Sequence, residues 1–324
     1  MKTLKYFLAI IFLIVSIVFV SCKKQDNSTK PVVKTYDALF VSSTIGTIGY
    51  RVESDGGSKI LDCGIYVSQL INPENSGTKL QIGADTGVFI IQLSGLTPNT
   101  EFYMKAYAKN AKGEGLGDQV KFTSPATVSD FDNNIYETVS IGTQVWMAKN
   151  LRTTHYINGD LIASTATPTL DISSESAPKY QWSYNGDDAN ALTYGKLYTY
   201  YTITDTRNIC PAGWHIPTDA QWITLENFLG GYAYAGSTLK ENGNTHWTTY
   251  NTDATNITLF KALPGGYRNG SGAFSFLNNY GYWWSSTEGD VANAWARSMT
   301  VQSTAVTRSS FLKKNGASVR CLKD

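Results

Sequence analysis

The chain has 324 residues, with 27 basic and 26 acidic side chains and a formal net charge of +1. A nucleic-acid partner calls for a basic excess gathered on one face, and none is present, so no nucleic acid is expected as a partner. The length implies two folded units.

The first predicted element is a leader over residues 1–21. MKTLKYFLAIIFLIVSIVFVSCKK sets Lys2 and Lys5 before an apolar run from Tyr6 to Val20, followed by Ser21 and Cys22. That is the basic, apolar, small-residue order of a secretory signal. The run is shorter than the roughly 20 apolar residues that span a bilayer. Phe19-Val20-Ser21-Cys22 resembles a bacterial lipobox, with Phe19 where the family usually has leucine. The resemblance implies lipidation of Cys22 and a place in the cell envelope, at the outer membrane, facing either the periplasm or the cell surface. Residues 22–35 are polar and lack apolar periodicity, the pattern of a flexible tether.

Residues 36–124 read as an all-β unit. In FYMKAYAKN, Phe102, Met104, Ala106 and Ala108 alternate with Tyr103, Lys105, Tyr107 and Lys109, the two-residue period of a strand with one buried side. Turn signals at Asp55-Gly56-Gly57, Asn75-Ser76-Gly77, Thr97-Pro98-Asn99 and Lys112-Gly113 divide the unit into short strands. LSGLTPNTEFYMKAYAKNAKGEG resembles a fibronectin type III module, which implies a β-sandwich serving as a stalk. Phe102 replaces the corner tyrosine of that family, so its hydroxyl-to-backbone bond is expected to be missing. Cys63 lies in a predicted strand and reads as a small buried hydrophobe.

Composition changes near SPATVSD, Ser124 to Asp130, after which all eight tryptophans fall. Within residues 125–324, CPAGWHIPTDAQWITLENFLGG predicts a helix. Thr218 and Gln221 have capping-box spacing, Pro217 can pack on Trp222, and Trp222, Leu225 and Leu229 share a face that Gly230-Gly231 ends. His215 is one of three isolated histidines, with His155 and His246, and reads as a structural residue. A catalytic pairing of His215 or His246 with a carboxylate across a long gap stays open. Cys210 and Cys321, two cysteines of an exported unit, point to a disulfide over two reduced thiols.

DFDNNIYETVSIGTQVWMAKNLRTTHYINGD, YGKLYTYY, CPAGWHIPTDAQW, LPGGYRN, YWWSST and ASVRC follow one another in an order that resembles the Fibrobacter succinogenes major paralogous domain. That family is similar to the C-type lectin-like scaffold shared with formylglycine-generating enzymes. The resemblance implies a multidomain chain, with the all-β sandwich followed by an α+β lectin-like unit of short helices on small antiparallel sheets. It also implies a long-range disulfide between Cys210 and Cys321, which leaves no reactive cysteine pair and disfavours the enzyme of that group. Neither Glu-Pro-Asn nor Trp-Asn-Asp, the calcium-lectin signatures, occurs. Asn185, Asp187, Asp188 and Asn190 form a run of hard oxygen groups that can serve calcium, the one possible cofactor, or simply a solvated turn.

For recognition, the Gly- and Asn-rich run from Gly265 to Asp290 is the expected presenting surface, with Tyr267, Arg268, Asn269, Trp283 and Trp284 as ligand-binding residues. An arginine fork beside an aromatic ring suits sugars and protein partners alike. If Trp283 and Trp284 lie in a strand, one ring faces in and the other out. The expected function is therefore non-catalytic binding or adhesion toward a glycan or protein by a lipid-anchored protein. The alternatives are an enzyme using His215 or His246, and a purely structural envelope protein.

Overall fold

A computed structural model describes residues 25–324; the predicted leader and Cys22 lie outside the described residues. The fold is β-rich and built from several sheets. Among the described residues no helix is long and apolar enough to cross a membrane.

The first eight strands are β1 (Val32–Thr35), β2 (Phe40–Ser42), β3 (Ile45–Ser54), β4 (Asp62–Ser68), β5 (Thr78–Gly83), β6 (Gly87–Ser94), β7 (Thr100–Asn110) and β8 (Gly113–Ser124), with a one-turn helix α1 (Pro73–Ser76) before β5. They form two layers. β3 pairs with β1, β2 and β6, while β5, β4, β7 and β8 make a four-stranded sheet. Phe102, Met104, Ala106 and Ala108 of β7 point into the core between the layers, beside Ile48, Tyr50, Val52 and Ile65. Phe102 stacks on Phe122 at 5.5 Å, and Cys63 is buried and free.

The flexible tether expected over residues 22–35 is corrected over residues 29–35, which the structure ties down. Val32–Thr35 pairs along β3, and Thr29 donates its backbone N–H to Gly56 O at 2.8 Å. Val33 and Thr35 point inward while Val32 and Lys34 face solvent. Four residues are too few to declare a period, and it is pairing with a distant strand that orders them.

The second unit contributes β9 (Val128–Ser129), β10 (Ile135–Tyr136), β11 (Thr138–Ile141), β12 (Gln144–Met147), β13 (Gln181–Trp182), α2 (Asp188–Tyr194), β14 (Leu197–Tyr198), α3 (Tyr200–Ile203), β15 (Trp214–His215), α4 (Asp219–Phe228), α5 (Tyr232–Leu239), β16 (Gly265–Arg268), β17 (Phe274–Leu277), β18 (Tyr280–Glu288), β19 (Asn293–Thr300), β20 (Thr307–Leu312) and β21 (Leu322–Lys323). The first unit does not end at its own edge. β2 pairs with β11, setting Ser42 opposite Val139 and Val41 opposite Ser140, so one sheet runs on through β12 and β21 to β15. Thr47 also donates its hydroxyl to Ile257 O at 2.9 Å, and Phe40 meets Phe228 edge-on. The shared sheet joins the first unit directly to the second.

The helix α4 follows the sequence reading. Thr218 Oγ1 accepts from Gln221 N, and the Gln221 side chain accepts from Thr218 N. Trp222 and Leu225 are buried, and the chain leaves the helix through Gly230 and Gly231, both at positive φ, where a Cβ would be strained. A disulfide joins Cys210 to Cys321, tying the segment before α4 to the segment that enters β21.

A five-stranded sheet, in the order β17-β16-β18-β19-β20, dominates the rest. At Trp283 and Trp284 its strand β18 is covered on both faces. Trp284 packs with Tyr198, Tyr200, Cys210 and Cys321 on one side, and Trp283 with Trp146, Trp222, Leu225 and Phe260 on the other.

Candidate functional site

Trp283, Trp284 and Arg268 were expected on a presenting surface, and all three are fully buried. Alternation does send the two rings to opposite faces, but each face has its own core. Trp283 Nε1 donates to Asn150 Oδ1 at 2.8 Å and Trp284 Nε1 to Tyr198 O at 2.7 Å. Arg268 stacks over Trp182 at 4.1 Å and donates to the carbonyls of Pro168, Leu170 and Asn269. Its fork thus fastens the loop around residues 168–170, and burial lowers its pKa. Asn269 shapes the β16–β17 turn, its Oδ1 accepting from Ala273 N at 2.8 Å. Tyr267 alone of the five keeps a half-open aromatic side chain.

The run from Asn185 to Asn190 caps a helix. Asp187 accepts from Ala189 N at the start of α2, Asp188 accepts from Ser183 Oγ at 2.6 Å, Asn190 Nδ2 donates to Tyr184 O, and Asn185 takes a left-handed turn. Among the described residues no group of three or more His, Cys, Asp and Glu side chains converges as metal ligands would.

Each histidine is held by a carboxylate. His215 Nδ1 lies 2.6 Å from Asp324 Oδ1 and its Nε2 lies 3.0 Å from Gln221 Oε1, so both ring nitrogens are spent on fixing β21 to the cap of α4. His246 pairs with Glu241 at 2.8 Å and His155 with Asp132 at 2.5 Å. The three pairs are separate, and among the described residues no hydroxyl or thiol bonds Nε2 of His155 or His246.

A different surface gathers aromatic side chains. On one face of the five-stranded sheet stand Tyr267 (β16), Phe276 (β17), Tyr280 and Tyr282 (β18) and Phe311 (β20). Tyr282 stacks with Phe311 at 5.2 Å and with Tyr280 at 5.9 Å, while Tyr267 touches Phe276, Tyr282 and Phe311 within 5.9 Å. The strand between Tyr282 and Phe311 turns only Ala294, Ala296 and Ser298 to this face, so the rings can lean together over a low floor. All five rings are half-buried or exposed. The hydroxyls of Tyr267, Tyr280 and Tyr282 have no hydrogen-bond partner among the described residues. Burial, with Tyr267 and Tyr280 beside it, pushes the Tyr282 phenol up to about 12, so it is a neutral donor near pH 7. At one end of the sheet the turns after β16 and β18 and the residues after β20 enclose a groove of about 440 Å³, lined by Asn269, Ala292, Leu312 and Lys314.

Sequence reasoning missed Phe276, Tyr280, Tyr282 and Phe311. The signal was present in YGYWW, where Tyr280, Tyr282 and Trp284 share one face by alternation. Only Trp284 is roofed, by Tyr200 of α3 at 5.6 Å.

The family model for the Fibrobacter succinogenes major domain matches residues 139–323, more than half of the chain and nearly all of the second unit. No curated protein matches the chain.

Proposed function

We propose that this chain, which belongs to the Fibrobacter succinogenes major domain family, is a lipid-anchored extracytoplasmic protein that binds a glycan or protein ligand without catalysis. The first unit acts as a fibronectin type III-like stalk and the second as a lectin-like head. The two-layered arrangement of β1–β8 supports the first assignment, and the disulfide tying the helix lead-in to the terminal strand supports the second.

The observation that carries the binding reading is the open row of Tyr267, Phe276, Tyr280, Tyr282 and Phe311. Five apolar rings left half in water cost stability unless something covers them. Tyrosine supplies a large, stiff contact area with a polar tip, which is why binding surfaces are rich in it. Ser275, Ser298, Thr307 and Ser309 stand among the rings and add small hydroxyl groups.

The test is a glycan array together with a pull-down from envelope extract, using the full mature chain and its Tyr267→Ala and Tyr282→Ala variants. Truncating an anchor in such a patch is expected to weaken binding about tenfold or more, with the fold retained. Ligand capture undiminished in both variants would remove this face from the reading.

A further inference from the structure

Of the eight tryptophans, seven are buried and Trp295 is not. It lies on β19 opposite Ser310 of β20, on the side of the sheet turned away from Tyr282 and Phe311. The Arg308 guanidinium stacks on its ring, 3.2 Å from the centroid. Arg308 Nε is anchored by both carboxylate oxygens of Asp219, at 2.9 and 3.1 Å. Stacking and anchoring fix the arginine although its side chain is 43% exposed.

The N–H groups left over at this spot are all donors without acceptors, with two hydroxyls beside them. Arg308 Nη1 and Nη2 have no acceptor among the described residues, nor have Trp295 Nε1 and the exposed Ser310 hydroxyl. Thr287 Oγ1 accepts from Asp219 N at 3.0 Å, which leaves its own proton free. Both carboxylates near the guanidinium are engaged: Asp219 Oδ1 also accepts from Arg297 Nη1 at 2.7 Å, and Glu226, whose charge reaches Arg308, accepts from Arg297 Nε. Free N–H groups in excess favour an acceptor, and a planar guanidinium edge with two free N–H groups matches a planar carboxylate. Because the guanidinium is already immobilised, little further entropy is lost on binding.

We propose that Trp295 and Arg308 form a second ligand site, which takes the carboxylate of an acidic sugar. The carboxylate lies on the Nη1–Nη2 edge of Arg308, and sugar hydroxyls meet Ser310 and Thr287. Hydroxyl groups at the rim favour a sugar over an acidic peptide. The site is independent of the row around Tyr282, which occupies the other face of the sheet.

The full mature chain is titrated with tri-galacturonate, its neutral methyl ester, a sulfated trisaccharide and a poly-glutamate peptide, with tryptophan emission and calorimetry as readouts. Saturable binding of tri-galacturonate is expected, with the methyl ester bound at least tenfold more weakly. Arg308→Gln should weaken tri-galacturonate about tenfold or more, as loss of a charged two-point contact does, while Lys59→Gln, an equal loss of charge on an exposed residue of the stalk, leaves it unchanged. Arg308→Gln still leaves Asp219 its Arg297 partner. Should that variant nonetheless unfold, Arg308→Lys keeps the charge without the fork and is expected to show weakened binding. Equal affinity in wild type and the folded arginine variant, or equal affinity for the acid and its ester, overturns the proposal. Preference for the sulfated sugar refutes the carboxylate assignment, and preference for the peptide refutes the sugar.

Discussion

Replacing both members of the Cys210–Cys321 disulfide by alanine measures how the second unit is closed. The bond spans 111 residues, and the chain-entropy relation for a loop of that size gives about 4.8 kcal/mol. Both cysteines are fully buried, so alanine avoids the hydroxyls that serine would bury. The ends the bond joins keep other ties. His215 pairs with Leu322 and Trp214 with Lys323, and Met147 N donates to Cys321 O at 3.1 Å. The variant should therefore fold and melt lower. At about 2–4 °C per kcal/mol for a unit of this size, the drop is roughly 10–20 °C by scanning calorimetry. A urea titration should also show a steeper slope, because the unlinked denatured chain opens further and exposes more surface. An unchanged melting temperature together with an unchanged slope would refute the view that the link acts by restricting the denatured chain.

Trp283→Ala should cost about 3–5 kcal/mol, as for other large buried side chains, lowering the thermal melt; a melt within 2 °C of wild type would place that ring outside the core. Lys240 is fully buried and donates to the carbonyls of Thr252, Thr300 and Ser303, and burial, only partly offset by Asp253, pulls its ammonium down to about 8. Above that pH the folded chain has released a proton that the unfolded chain keeps to about 10.4. Stability referred to Lys240 therefore rises with pH, by about 1.6 kcal/mol between pH 8 and 9.5. Buried tyrosines act in the opposite sense above about pH 10, so the comparison of wild type with Lys240→Met in urea melts stays below that; parallel slopes in the two proteins would count against it. Labelling cells with a palmitate analogue should mark the wild type and not Cys22→Ala, and equal labelling would end the anchoring proposal.

What could be read in the sequence was local. The capping box of α4 needs four adjacent residues, and the alternation in β7 needs nine, so each pattern carries its own explanation. Trp283 and Trp284 show where that stops. Alternation correctly sends them to opposite faces, but whether a face meets water depends on α3, α4 and loops far away in sequence. Arg268 misled for the same reason, because its carbonyl partners at Pro168 and Leu170 are about a hundred residues distant. The strand Val32–Thr35 and the β2–β11 pairing went unread because pairing with distant strands, and no local pattern, brings them about. Arginine stacked on a half-buried indole does occur in the chain, at Trp295 and Arg308, far from the segment where the sequence suggested it.

The buried polar groups explain why a loop-rich unit can keep an open aromatic face. Arg320 is fully buried, and its guanidinium bonds Asn150 Oδ1 and the carbonyls of Met147, Phe260 and Lys261, while Asn150 Oδ1 also receives Trp283 Nε1. One side chain thus ties the loops around residues 150 and 260 to β18. Arg297 does the same for α4, bonding Glu226 and Asp219 from the middle of β19. Buried charges of this kind add little net stability, yet removing one partner is costly because the other is left unpaired. They therefore fix geometry more than they add free energy. With β18 and β19 clamped in this way, the Tyr282 row needs no lid of its own to hold its shape, which is the preorganisation that the proposed binding role requires.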